Sequence, residues 1–259
     1  MRLKDTIHYN LYKKIFILFI LIICIMASAS VTDVQISEVF NNVDQMGLFL
    51  KRFLQPDWSY LSDLLSPMMK TIKMSIVGTL LGMLFSIPFA FLATTTVTNN
   101  WFVTIIIRFI LSIVRTIPNL LLAALFVAMF GIGEFTGVLT IAVFTFGMTS
   151  QLIYEAIETI DKGPIEAAKS VGANKMQIAV WSIYPQINQQ IISYSLYAFE
   201  VNIRASTVLG YVGAGGIGVL LNSSLSLMRY DRVSIIILFI LVVVGIIDAF
   251  SENVRKRLS

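Results

Sequence analysis

Long apolar runs separated by short polar joints dominate the chain, and they predict membrane-crossing helices rather than amphipathic surface helices. The first run goes from Ile15 to about Ala29, behind Lys13 and Lys14. Its basic front, apolar middle and Ala27-Ser28-Ala29 end also outline a secretory signal peptide. The further runs downstream favour an uncleaved first span. A polar, mixed stretch follows from Val31 to Lys70, holding Asp33, Glu38, Asp44, Asp57 and Asp63 with Pro56 and Pro67 as breakers. Trp58 and Tyr60 suit an interfacial aromatic belt, and Trp58 to Met69 reads as a short helix lying at the interface.

Five more spans are expected. The second runs from about Ile72 to Thr96 and contains Gly78, Gly82 and Pro88. Small residues there let membrane helices approach closely, and a proline kinks the helix. The third runs from about Val103 to Phe130, with Arg108, Arg115 and Pro118 in its first half. The fourth covers Phe135 to Tyr154, the fifth Pro185 to Leu209, and the sixth Val233 to Ala249. The expected fold is therefore an all-α membrane protein of about six transmembrane helices. Residues 1–70 would form an N-terminal transmembrane helix with an extracytoplasmic segment, and 71–259 the main transmembrane domain.

Composition agrees with a bilayer as solvent. Of 259 residues 57% are hydrophobic and only 13% charged, against about 25% charged in a typical soluble domain. Lysines and arginines assigned to one side (Arg2, Lys4, Lys13, Lys14, Lys162, Lys169, Lys175, Arg255, Lys256, Arg257) outnumber those assigned to the other by about two to one. The spans predict a multi-pass protein of the cytoplasmic (inner) membrane, in contact with lipid, and the charge bias predicts that both termini are cytoplasmic. The net charge of +4 is scattered rather than gathered into a basic face, so nucleic acid is not an expected partner. The single histidine, His8, and single cysteine, Cys24, exclude a His-based triad, a Cys-rich metal site and an internal disulfide. No catalytic residue, metal or cofactor is expected on this chain.

One loop, residues 155–183 in the whole, carries most of the functional inference. Within Asp161 to Ala173 the sequence reads as a short, well-bounded helix. Gly163 can serve as N-cap, with Pro164 at the first helical position, where a missing N–H costs nothing. Glu166 then suits the positive helix end. Ala167 and Ala168 are strong helix formers, and Gly172 is a natural stop. So small a helix has almost no apolar face and is marginal alone in water. It needs a surface, supplied either by the chain's own membrane domain or by a partner's groove.

Glu166-Ala167-Ala168, Gly172 four residues after Ala168 and Pro185 thirteen after Gly172 resemble the EAA loop of ABC-importer permeases. Ser182 and Tyr184 replace the Ile and Leu usual three and one residues before that proline. Arg115-Thr116-Ile117-Pro118, the run Glu200 to Gly210, the run Val212 to Gly218, and Ile247-Asp248 with Arg255 look like the phosphonate-type branch of those permeases. The resemblance covers about Ile72 to the C-terminus. It implies a type I importer permease whose loop forms a cytoplasmic coupling helix on a separate ATPase subunit. It further implies a homodimer, two cytoplasmic ATPase subunits that use ATP, an extracytoplasmic solute-binding protein, and alternating access for phosphonate or a related phosphorus oxyanion. Other small solutes, and an ATP-independent transporter, are the alternatives.

Gly213-Ala214-Gly215-Gly216-Ile217-Gly218 satisfies GxGxxG, but it follows a membrane helix rather than a strand, and Val219-Leu220 stands where a P-loop needs Lys-Ser/Thr. Nucleotide binding is not read from it. Gly213, Gly215, Gly216 and Gly218 form either a gate beside the translocation path or a close-packed turn. Glu200 and Arg204, four apart on one helical face, either line the path or neutralise each other. Arg115 has no local partner and is the stronger candidate for meeting an oxyanion, because a guanidinium matches phosphoryl-type oxygens.

Overall fold

The computed structural model describes residues 11–31, 41–98 and 100–258. His8, Asp33 and Glu38 lie outside these. Two units divide between Lys51 and Arg52. The first holds α1 (Leu11–Val31), a continuous apolar helix exposed along nearly its whole length, and most of α2 (Val43–Phe53).

The second unit is a helical bundle. A 3-10 turn, Trp58–Tyr60, leads into α3 (Leu61–Ala93), then α4 (Trp101–Thr116), α5 (Asn119–Phe130), α6 (Glu134–Thr159) and the short α7 (Gly163–Ser170). A single turn Lys175–Gln177 and a π-helical stretch Ile178–Ile183 then lead into α8 (Tyr184–Leu209). α9 (Ile217–Ser226) and α10 (Tyr230–Leu258) close the chain. By length and composition four helices could each cross a membrane, and six spans result if each bent pair counts as one.

Small residues set the packing. α3 and α6 form the most extensive helix pair. A Cβ on Gly78 would lie 2.6 Å from Ile141 Cγ2, and one on Gly82 2.5 Å from Thr145 Cβ. With nothing larger than hydrogen at these positions the two backbones approach until dispersion, rather than a hydrophobic drive, holds them. Hydrogen bonds tie polar groups at this seam, while Asn202 Oδ1 and Ser150 Oγ are buried with no hydrogen-bond partner among the described residues. Asn202 of α8 donates to Thr79 Oγ1 (2.8 Å) and Thr145 Oγ1 (2.7 Å), and Ser75 bonds Ser206 (3.1 Å). Apolar clusters occupy both ends. One gathers Leu64, Met68, Ile217, Ile235 and Ile236; the other gathers Met83, Ile153, Ile157, Ile183 and Ile187 around Ile165.

Three sequence expectations are corrected here. The helix that carries the second span begins at Leu61, not Ile72. Trp58 to Met69 is not a separate short helix: it is a 3-10 turn followed by the first turns of α3, with Leu64 and Met68 buried against α9 and α10. The third span is not one helix: α4 and α5 meet at 89° across Ile117-Pro118. Proline forces its predecessor out of the helical region, and Ile117 is extended at φ −75°, ψ 122°. At 16 and 12 residues the halves are about 24 and 18 Å long by helical rise. Neither alone spans a hydrocarbon core of about 30 Å.

Candidate functional site

α7 stands at the end of the bundle where α3 and α6 finish and α8 begins. Its boundaries differ by one residue from the sequence reading. Gly163 is the first helical residue and Lys162 the N-cap, with Asp161 Oδ1 accepting from the Gly163 N–H at 3.0 Å. Pro164 is accordingly second and Glu166 fourth. The C-terminal end closes as expected. Gly172 takes φ +81°, its N–H reaches the Lys169 carbonyl, and the Ala173 N–H reaches the Ala168 carbonyl, both at 3.0 Å. That pair of bonds is a Schellman closure, which needs a left-handed residue where glycine stands.

α7 does have an apolar contact of its own. Ile165 is 3% exposed and seats among Ile153 and Ile157 of α6, Ile183 at the end of the π-helical stretch and Ile187 of α8, with Ala168 half-buried at the edge. The opposite face, Glu166, Ala167, Lys169 and Ser170, is exposed, and Val171 beyond it is 84% exposed. The helix is thus braced inward on one residue and bare outward. Ser182, where the usual pattern has an apolar residue, donates to the Pro164 carbonyl at 3.2 Å. Gln186 donates to the carbonyls of Ser182 (2.7 Å) and Asp161 (3.4 Å). Pro185 is the second residue of α8, directly after the π-helical stretch, where the Tyr184 N–H still bonds back to the Ala179 carbonyl.

The charged residues separate into two groups. Glu200, 6% exposed, accepts from Arg255 of α10 at 2.6 Å, while Arg204 is 3.8 Å from Glu200 and 3.6 Å from Asp248. Two acids and two bases make this cluster neutral. The sequence showed only the i,i+4 half of it; the closer partner, Arg255, lies 55 residues on and is brought back by α10. Arg115, in the last turn of α4 beside the break, is exposed and makes no ion pair among the described residues. Glu200 does not reach it. Gly147 of α6 backs the break: a Cβ there would lie 3.0 Å from Val114 Cγ1 and 3.4 Å from the Arg115 nitrogen.

Arg108 was not singled out by sequence. Its Nε donates to the Ala93 carbonyl at the end of α3 (2.8 Å), its guanidinium pairs with Glu158 of α6 and lies 4.8 Å from the centre of the Tyr154 ring. One side chain therefore joins α3, α4 and α6 just before the α7 loop. Neither periodicity nor spacing could reveal it, because its partners are 15, 46 and 50 residues away in the chain.

The glycine run is closely packed. Gly213, Gly215 and Gly216 have φ of +84°, +87° and +73°. The Gly213 carbonyl accepts from the Gly133 N–H (3.1 Å), and the Ile217 N–H donates to Thr71 Oγ1 (2.8 Å). Gly218 meets Gly210 so closely that a Cβ on Gly210 would be 2.1 Å from the Gly218 carbonyl carbon.

The second unit is thus a bundle of membrane-length helices with two bent pairs and one short helix presented at its end. The chain belongs to the family described as the binding-protein-dependent transport system inner membrane component, whose model matches residues 78–259. It is a permease component of the ABC-importer type. Among its relatives, the phosphite transport system permease protein PtxC of Stutzerimonas stutzeri is 37% identical over 221 residues, 85% of this chain and 80% of that one. The phosphate-import permease protein PhnE of Mycolicibacterium smegmatis is 36% identical over 82% of this chain, which spans 40% of that protein's length. The fold is shared with the inward-facing MetNI methionine ABC transporter at TM-score 0.70, with 19% identity over 78% of this chain and 99% of that one.

Proposed function

We propose that this chain is the membrane-spanning permease of an ATP-driven importer for a phosphorus oxyanion, of the phosphite or phosphonate class. It acts as a homodimer with two cytoplasmic ATPase subunits and an extracytoplasmic solute-binding protein. Both termini and α7 face the cytoplasm. Residues 1–70 supply an accessory span and 71–259 the permease domain. The substrate class rests on relatives named for phosphite and phosphate import.

The observation that carries the mechanism is α7, bare on the Glu166–Ala167 face and braced behind by Ile165. A helix of eight residues has too little cooperativity to hold itself, so a load on its outer face passes through Ile165 into α6 and α8. Closing of the ATPase pair on ATP draws the two α7 helices together and swings those spans, opening the path outward. Glu166 and Ala167 form the docking face, Ala168 its inner edge and Gly172 its end; Gly163, Pro164 and Pro185 fix its angle. Arg115 meets the oxyanion at the broken span, where non-helical backbone at membrane depth suits a water-lined path. Glu200 and Arg204 hold α8 to α10. Gly213, Gly215, Gly216 and Gly218 serve as the packed turn that anchors the far end of α8.

Reconstitution of the chain with its ATPase and binding protein in proteoliposomes tests this. Phosphite- or phosphonate-stimulated ATP hydrolysis and uptake are expected, with both partners required. Arg115→Ala should lower uptake more than it lowers retention of the ATPase. Equal loss of both removes the pathway role, and uptake indifferent to every phosphorus oxyanion removes the substrate class.

A further inference from the structure

At the α7 end of the second unit, an apolar groove of about 700 Å³ opens between the last turns of α3 and the segment that leads into α8. Ile87, Pro88 and Phe91 form one wall; Met176 and Val180 form the other; Lys175 stands on the rim. Lys175 is exposed and makes no ion pair among the described residues. Met176 and Trp181, beside it, are 72% and 78% exposed.

Depth decides what can fill this groove. α3 has 33 residues, about 50 Å by helical rise, against a hydrocarbon core of about 30 Å. α3 thus exceeds the core by about 20 Å, and its α7 end runs straight into the polar joint Thr94-Thr95-Thr96, which suits the headgroup layer. Filling the groove with water would take on the order of 20 molecules at roughly 30 Å³ each, and each ordered water wants two to four polar partners. Only three of the eleven lining residues carry a polar atom in the side chain. An acyl chain meets no such cost. A lysine at the mouth of such a groove keeps its ammonium in the headgroup layer while its stem lies on apolar surface.

We propose that this groove binds one anionic phospholipid per chain, its acyl tail between α3 and the Met176–Tyr184 segment and its phosphate on Lys175. The site rests on the chain's membrane class and not on the substrate assigned above. A free cation at an apolar cleft distinguishes anionic from zwitterionic headgroups, by about fivefold for one basic residue near the surface.

The test uses the complete transporter in lipid nanodiscs, with phosphatidylglycerol or phosphatidylcholine carrying a photoreactive acyl chain. Labelling is expected on peptides spanning residues 87–92 and 176–184, about fivefold higher for phosphatidylglycerol. Val180→Trp, which fills the groove, should abolish it. Lys175→Gln, an exposed change that leaves the fold alone, should bring the two lipids to equal yield. Equal yields in the unmodified protein, or labelling unaffected by both substitutions, overturn the proposal. So does a disulfide from Val180→Cys to a second copy or to Cys24, because protein then covers the groove. Failure of phosphorus oxyanion uptake alone leaves the lipid result standing.

Discussion

Replacing Ile165 with alanine tests the brace behind α7 directly. The side chain is 3% exposed among Ile153, Ile157, Ile183 and Ile187. Truncating a buried isoleucine costs about 2–5 kcal/mol. Here the loss falls on a local equilibrium, because an eight-residue helix has little else to hold it. The remaining ties include the Ala168 and Ala173 methyl contacts, the Ser182 bond to Pro164 and the longer Gln186 bond to Asp161. At the lower bound of about 2 kcal/mol, the population with α7 released rises about thirtyfold, and at the upper bound several thousandfold. Amide hydrogen exchange should accelerate by that factor across 163–170 and stay near its original rate in α3 and α6. In proteoliposomes, uptake per ATP hydrolysed should fall sharply. Glu166→Lys, on the outer face, provides the contrast: exchange in α7 unchanged, ATPase retention lost. Ile165→Ala with unaltered exchange and unaltered coupling would refute the brace.

Removing Arg255 (Arg255→Gln) strands a buried carboxylate on Glu200; a cost near the low end of about 3–5 kcal/mol is expected, since Arg204 stands 3.8 Å away. The double variant with Glu200→Gln should recover part of the thermal stability in detergent. Gly216→Ala meets both a φ of +73° and Thr71 Oγ1 at 2.4 Å, so the Ile217–Thr71 bond should be lost and expression of folded protein should drop. Asn202→Leu leaves Thr79 and Thr145 without the amide they share; about 1–3 kcal/mol of destabilisation is expected in a thermal or denaturant series.

Much of the fold is legible in the chain. The apolar runs locate the spans, and Pro164 and Gly172 bound α7 to within a residue because each acts through its own backbone. What the sequence hides depends on distant neighbours or on geometry that a pattern cannot encode. Pro118 announces a kink, yet an 89° turn into two half-length helices requires the Gly147 surface of α6 to receive it. Spacing pairs Glu200 with Arg204, while the closer bond to Arg255 exists only once α10 returns antiparallel. Ile165 looks isolated among Gly, Pro and Ala until the ends of α6 and α8 close around it. Ser182, which departs from the usual motif, turns out to tie the segment before α8 to α7.

The glycine-threaded seam between α3 and α6 has a mechanical consequence. Two helices that touch backbone to backbone at Gly78 and Gly82, with hydroxyls and an amide locked between them, form a stiff plate with no internal slack. Whatever rearrangement carries a solute across must bend elsewhere, and the non-helical joints border that plate: Ile117-Pro118 on one side, and the two loops flanking α7 on the other.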